Sequence, residues 1–163
     1  MKLYRIGPES LLENYSGLGA SYRDGARWNS PGLPVLYFAC SPAVALLEMA
    51  NYLPSPRLVP PGYRLGIYQL PDSIKPRQLP RRQLPDDWAH YPHPIATQGI
   101  GDKWLKAGRE ALMLVPSAAV PAGLEQIAVF NPQHPDSKRI RLLEVVETIY
   151  NSRMFSGHTD MSR

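Results

Sequence analysis

The apolar positions of the chain fall into short runs punctuated by prolines and glycines, and the period within each run indicates the element it favours. Leu3-Tyr4-Arg5-Ile6 alternates and predicts a first strand, after which a polar, glycine-containing segment extends to Arg27. Residues 35–40, after Pro34, are β-branched and aromatic and predict a stronger strand. Ser41-Pro42 then marks a helix start. A serine hydroxyl can accept a hydrogen bond from a free N–H of the first turn, and proline loses nothing there because that N–H would have no partner anyway. The run that follows predicts a helix as far as Leu53, ended by Pro54 and Pro56 and well buried because nearly every residue in it is apolar. Residues 64–70 predict another strand, residues 71–94 are proline-rich and irregular, and residues 95–107 predict a helix whose glycines loosen its start. Apolar runs at 111–115 and 126–130 have strand length and stop at Pro116 and Asn131-Pro132, and residues 139–150 predict a last strand before a polar tail. Many strands, two helices and no regular βαβ alternation predict an α+β fold around a compact mixed or antiparallel sheet.

Composition fits this picture. With 163 residues, 44% hydrophobic and 20% charged, the chain can bury one core of ordinary size. The 18 prolines predict short elements and rigid turns. Cys40 is the only cysteine, which excludes an intrachain disulfide and a thiolate zinc site and points to a reducing cytoplasm. The first residues lack the apolar region of a signal peptide and no run approaches a membrane span, so neither export nor membrane insertion is expected. The net charge of +4 is uneven: residues 57–82 hold Arg57, Arg64, Lys75, Arg77, Arg81 and Arg82 against Asp72 alone. Such a segment is either a solvated basic loop or a surface for nucleic acid or an acidic partner.

Candidate chemistry gathers where charge is sparse. Between Arg27 and Arg57 the one formally charged residue is Glu48, in the middle of the apolar helix. Its neighbours three and four residues away, Val44, Ala45, Asn51 and Tyr52, cannot form an ion pair with it. A carboxylate so placed is either a solvated residue at the helix edge or one satisfied by a distant group or a ligand. Arg27 lies in Gly25-Ala26-Arg27-Trp28-Asn29-Ser30-Pro31-Gly32, a turn-rich loop that can hold a phosphate on the guanidinium or neutralise Glu48. Tyr37 offers a ring for stacking or for the core, and Ser117 a hydroxyl at a strand end. The histidines, His90, His93, His134 and His158, have no metal-ligand spacing, and no Gly-rich phosphate loop or Gly-x-Ser-x-Gly elbow is present.

Taken together, residues 27–32, Val35-Leu36-Tyr37, Ala45-Leu46-Leu47-Glu48, Ile100-Gly101-Asp102-Lys103-Trp104-Leu105, Val115-Pro116-Ser117 and Asn131-Pro132-Gln133-His134-Pro135 resemble the RES domain family. Six ordered blocks carry the resemblance, which extends over residues 1–155 as one domain, leaving 156–163 as a polar C-terminal tail. The family takes its name from an Arg, a Glu and a Ser, matched here by Arg27, Glu48 and Ser117. Ala26 departs from the two glycines the family commonly has before the Arg. The resemblance implies an ADP-ribosyltransferase-like fold and a cytoplasmic toxin of a toxin–antitoxin pair that degrades NAD by hydrolysis or phosphorolysis. NAD is then the substrate and no cofactor is expected. It also implies roles: Arg27 at the pyrophosphate or adjoining ribose, with Arg5 a second candidate; Tyr37 against nicotinamide; Glu48 at the ribose hydroxyls and the developing positive charge; Ser117 bonding the ligand or orienting Glu48. The implied partner is an antitoxin with an Xre-type helix-turn-helix that covers the cleft, with DNA reached only through it and no membrane contact; the basic segment can help recruit that partner. A homodimer is left open. Two alternatives stand beside this reading, an ADP-ribosyltransferase modifying a specific host protein and a nucleic-acid-binding module acting through the basic segment.

Overall fold

The computed structural model describes residues 1–53, 55, 58–147 and 149–151. Seven strands form one sheet: β1 (Lys2–Pro8), β2 (Leu36–Ala39), β3 (Tyr63–Gln69), β4 (Arg77–Gln78), β5 (Leu112–Pro116), β6 (Gln126–Phe130) and β7 (Arg141–Val146), in the order β4-β5-β6-β2-β1-β3-β7. All neighbours are antiparallel except β4 and β5. Among the described residues three α-helices accompany the sheet: α1 (Ala20–Asp24), α2 (Pro42–Ala50) and α3 (Ile95–Ala107).

Alternation along the strands divides the core between the two faces of the sheet. One face buries Leu3, Phe38, Tyr68, Leu112, Leu114 and Phe130, with the Phe38 ring edge-on to both Tyr68 and Phe130. The other carries both longer helices. There α3 packs Trp104 and Leu105 against Val115 and Val129, and α2 packs Val44 and Ala45 against Ala39.

Ser41 caps α2 as its sequence predicts, its hydroxyl accepting from the Val44 N–H at 3.2 Å, with Pro42 at the first helical position. The helix is shorter and less buried than expected. It ends at Ala50, after which Asn51 and Tyr52 turn their N–H groups back to Glu48 and Met49; the expected stops Pro54 and Pro56 lie outside the described residues. Only Val44 and Ala45 are buried, and Leu47 is exposed, because one stripe of the helix reaches the sheet. Helix α1 and the two-residue β4 fall in segments whose sequence predicts no regular element.

The basic segment does not form a continuous stripe. Arg64 on β3 and Arg77 on β4 stand near opposite ends of the sheet, Arg64 pairs with Glu9 at 3.3 Å, and Arg81 donates to the carbonyls of Ala122 and Gly123. Arg57, the polar tail 156–163 and His158 lie outside the described residues. Among the described residues no helix is long and apolar enough to cross a membrane.

Candidate active site

The loop that carries Arg27 is built by contacts from α3. Ala26 and Asn29 close a short bridge, the Ala26 N–H donating to the Asn29 carbonyl at 2.9 Å. Trp28 and Asn29, the two residues after Arg27, are fully buried. The Asn29 amide donates to the carbonyls of Ser21 (2.7 Å) and Ser30 (3.1 Å), while its oxygen accepts from the Tyr37 hydroxyl at 2.7 Å. From α3, Asp102 accepts the Ser30 N–H at 2.8 Å and Gln98 donates to the Ala26 carbonyl at 3.1 Å. Gly101 brings the helix against the loop so closely that a Cβ there would lie 1.8 Å from the Trp28 carbonyl oxygen. The glycine is therefore needed for close approach, not for looseness at the helix start.

Glu48 projects from α2 and is half-buried. Its Oε1 accepts from the Ser117 hydroxyl at 2.5 Å, and Oε2 accepts from Asn51 at 3.4 Å. Ser117 is fully buried just beyond β5, and its oxygen also accepts the Ala119 N–H at 3.2 Å. A hydroxyl has one proton to donate. That proton goes to Glu48, so Ser117 orients the carboxylate and is itself shielded from a ligand.

Arg27 and Glu48 do not form an ion pair; no nitrogen of one lies within 4.0 Å of an oxygen of the other. Instead, Arg27 Nη1 donates to the carbonyls of Trp88 and, at 2.8 Å, His90, which straps the 85–94 loop beside it. Glu48 nevertheless acts on Arg27: burial lowers the Arg27 pKa, and Glu48, Tyr52 and Tyr37 oppose that shift. Burial likewise pushes the Tyr37 phenol far above its ordinary value, keeping it protonated as a donor to Asn29. Arg27, Tyr37, Glu48 and Ser117 are thus brought to one side of the sheet.

Arg5 is not. Strand alternation puts it on the same face as Leu3, opposite Tyr4 and Ile6, which pack with α2. Its charge faces Tyr68 and Tyr15 there, and burial lowers its pKa. The expected second phosphate contact is therefore separated from Arg27 by the sheet. Two open surface depressions, of about 280 and 230 Å³, are lined by residues such as Arg81 and Trp88 or Val59 and Tyr150, and neither includes Glu48 or Arg27. The site is defined by its chemistry rather than by depth.

Sequence reasoning missed Asn29, Gln98 and Asp102 as supports of the Arg27 loop, and it missed Tyr52, which shares the field of Glu48 and Arg27. Tyr52 was visible as the i+4 neighbour of Glu48. The supports from α3 required knowledge of a contact about 70 residues away.

The RES domain family model matches residues 2–151. The chain is 35% identical over 144 residues to the Prs ADP-ribosylating toxin of Sphingobium sp. (strain YBL2), covering 87% of each chain. It is 33% identical over 156 residues to Toxin Res of Pseudomonas putida, covering 95% of this chain and all of that one. Its fold superposes on a chain of the M. tuberculosis MbcT-MbcA toxin-antitoxin complex with a TM-score of 0.70 at 23% identity, covering 89% of this chain and 82% of that one. At that identity the likeness speaks to the fold.

Proposed function

The chain belongs to the RES domain family and has the expected α+β, ADP-ribosyltransferase-like fold, and from that premise we propose that it is the NAD-consuming toxin of a toxin–antitoxin pair. The observation that carries the reading is the pair of Glu48 and Arg27, held on one face with opposite charges and not joined to each other. NAD has the complementary pattern, a negative diphosphate and a ribose carbon that becomes positive as nicotinamide leaves. Arg27 would meet the diphosphate through its fork of donors. Glu48, aimed by Ser117, would accept from the ribose hydroxyls and stabilise the oxocarbenium-like charge, an interaction stronger in the transition state than in the ground state. Tyr37, with its hydroxyl tied to Asn29, would present a fixed ring to the nicotinamide. The glycosidic C–N bond breaks with its electron pair going to nicotinamide. Water or phosphate then bonds to the ribose carbon, water giving up one proton in doing so. NAD is the substrate and no cofactor takes part.

The relatives named as Res toxins, and the structural neighbour solved with its antitoxin, support an antitoxin partner; in the proposed setting the protein is cytoplasmic and an Xre-type antitoxin covers the Glu48–Arg27 site and links the toxin to DNA. The relative named for ADP-ribosylating Prs favours a second reading, transfer of ADP-ribose to a specific protein. Incubating the protein with NAD and following free nicotinamide tests both. Release by wild type should fall by about 10²–10³ in Glu48→Gln, the size of effect seen when one charge-stabilising group is removed. No release, or equal release by the variant, overturns the proposal. With NAD labelled in its adenylate half, label confined to small products identifies water or phosphate as acceptor, and label on a macromolecule identifies protein transfer.

A further inference from the structure

The larger surface depression, of about 280 Å³, is lined by Arg81, Leu84, Pro85, Asp86, Trp88 and Ala122 and takes no part in the bond-breaking chemistry above. Small-molecule sites run from ~300 to 1,000 Å³, so this one suits a single end of a ligand whose remainder lies outside it. Two of its walls lead to the catalytic groups. Trp88 is the first: its carbonyl accepts from Arg27 Nη1, and its ring packs over Gly123, where a Cβ would lie 3.0 Å from the indole. The turn 117–123 is the second, starting at the hydroxyl that bonds Glu48 and reaching the cavity at Ala122. Across the sheet, wall residues 81–88 follow β4 at one edge, whereas α2, which carries Glu48, packs over β2 and β1 nearer the middle. A ligand whose diphosphate rests on Arg27 can therefore reach Glu48 with one end and this cavity with the other. We propose that the cavity is the subsite for the adenosine end of the dinucleotide.

The backbone of the cavity wall is held in an uncommon form. Ala122 (φ 55°, ψ 14°) and Gly123 (φ 60°) are both left-handed, a conformation that costs energy for alanine and persists only where the surroundings fix it. The pair turns both of its carbonyls onto one nitrogen of Arg81, whose Nη2 donates to Ala122 and, at 3.2 Å, to Gly123. Among the described residues these are the hydrogen bonds that Arg81 makes, and it forms no ion pair although Asp86 lines the same cavity. A fixed cation, a carboxylate not joined to it and an indole thus surround one small space. Adenosine complements all three: a flat π-face for the indole, ring nitrogens that accept from an arginine, and an amino group and ribose hydroxyls that donate to a carboxylate. Ordering a side chain on binding costs affinity, and an arginine fixed beforehand avoids much of that cost.

The inference rests on NAD being the substrate, and a ligand without nicotinamide separates the two claims. Of the three tryptophans, Trp28 and Trp104 are buried and Trp88 is not, so the fluorescence of Trp88 reports a ring laid on it. ADP-ribose should quench that fluorescence and nicotinamide mononucleotide should not. The quenching should vanish in Trp88→Phe, whose ring keeps ADP-ribose affinity, followed by calorimetry, within a few-fold. Trp88→Leu and Asp86→Ala should each weaken ADP-ribose binding about tenfold or more; Asp86 is exposed, so its replacement tests the cavity without disturbing the core. Quenching by nicotinamide mononucleotide, no quenching by ADP-ribose, or unchanged ADP-ribose affinity in both Trp88→Leu and Asp86→Ala overturns the subsite. Release of nicotinamide from NAD by the same preparation then leaves the NAD reading standing. A protein that neither binds ADP-ribose nor releases nicotinamide from NAD overturns both.

Discussion

Replacing Gly101 by alanine should destabilise the protein, against the usual direction for glycine in a helix. In an exposed helix interior alanine is favoured over glycine by ~0.8–1.0 kcal/mol. At position 101 the new Cβ would sit 1.8 Å from the Trp28 carbonyl oxygen and 2.6 Å from its carbon, both of them backbone atoms that cannot swing aside. Relief requires α3 and the Arg27 loop to part by more than about 1 Å. The bonds that join them, Ser30 to Asp102 at 2.8 Å and Gln98 to Ala26 at 3.1 Å, would then pass beyond useful length. Overpacking costs ~1–3 kcal/mol and each lost hydrogen bond ~1 kcal/mol, so the propensity gain is outweighed and the net loss is about 2–4 kcal/mol. Gly99 is the control, since it lies in the same helix and a Cβ there would meet nothing within 4 Å; at that position alanine should stabilise by ~0.5–1 kcal/mol. Urea unfolding followed by circular dichroism measures both variants. Equal or higher stability of Gly101→Ala, or a loss at Gly99→Ala matching that at 101, would refute the close-approach argument. NAD binding should fall with Gly101→Ala even where the protein remains folded, because the displaced loop carries Arg27.

Other consequences follow from the same contacts. Ser117→Ala removes the hydroxyl that orients Glu48; a hydrogen bond to a charged group is worth ~1.5–3 kcal/mol, so kcat for nicotinamide release should drop about ten- to hundredfold with little change in KM, and an unaltered kcat would rule out the positioning role. Burial, reinforced by Glu125, pushes the Cys40 thiol from 9.0 up to about 11, so at pH 8 it should react with a disulfide reagent about a hundredfold more slowly than an exposed thiol until the protein is unfolded. Rapid modification of the native protein would contradict this. His93 is held below its ordinary pKa of 6.5, first by burial and then by Arg27. The unfolded chain therefore binds a proton more readily there, and stability present above pH 6.5 is lost as pH falls through the lower folded value. The thermal midpoint of wild type should accordingly fall more than that of His93→Gln between pH 7 and 5; parallel profiles would remove His93 from the account.

Much of the fold was legible because its elements are declared locally. Helix α3 spans the residues its pattern predicts, β6 coincides with the run 126–130, and Ser41-Pro42 starts α2 where the capping chemistry requires. Helix α1 and β4 were not legible. The first is five largely exposed residues with no apolar stripe, and the second exists through its parallel pairing with β5, where Arg77 and Gln78 face Met113 and Leu114. The site divides in the same way. Glu48 stood out from charge sparsity alone, but its partner Ser117 is 69 residues away. Arg5 shows the converse limit: a cation in the right strand was expected at the phosphate, and the pleat turned it to the other face.

The separation of Arg27 from Glu48 has a physical cause that bears on function. An arginine and a carboxylate free to meet in a half-buried setting would pair, and the pair would then have to be broken for either to meet a ligand. Here each is held by neutral groups instead, Arg27 by two carbonyls of the 85–94 loop and Glu48 by the hydroxyl of Ser117 and the amide of Asn51. Neutral dipoles fix the geometry of a charge without cancelling it, so the Glu48 carboxylate still acts on Arg27, opposing the lowering of its pKa by burial. A ligand carrying a negative diphosphate and an incipient cation meets two charges already oriented, with no ion pair to dissociate first. Loosening the 85–94 loop should therefore harm the site, by freeing the guanidinium to turn toward the carboxylate.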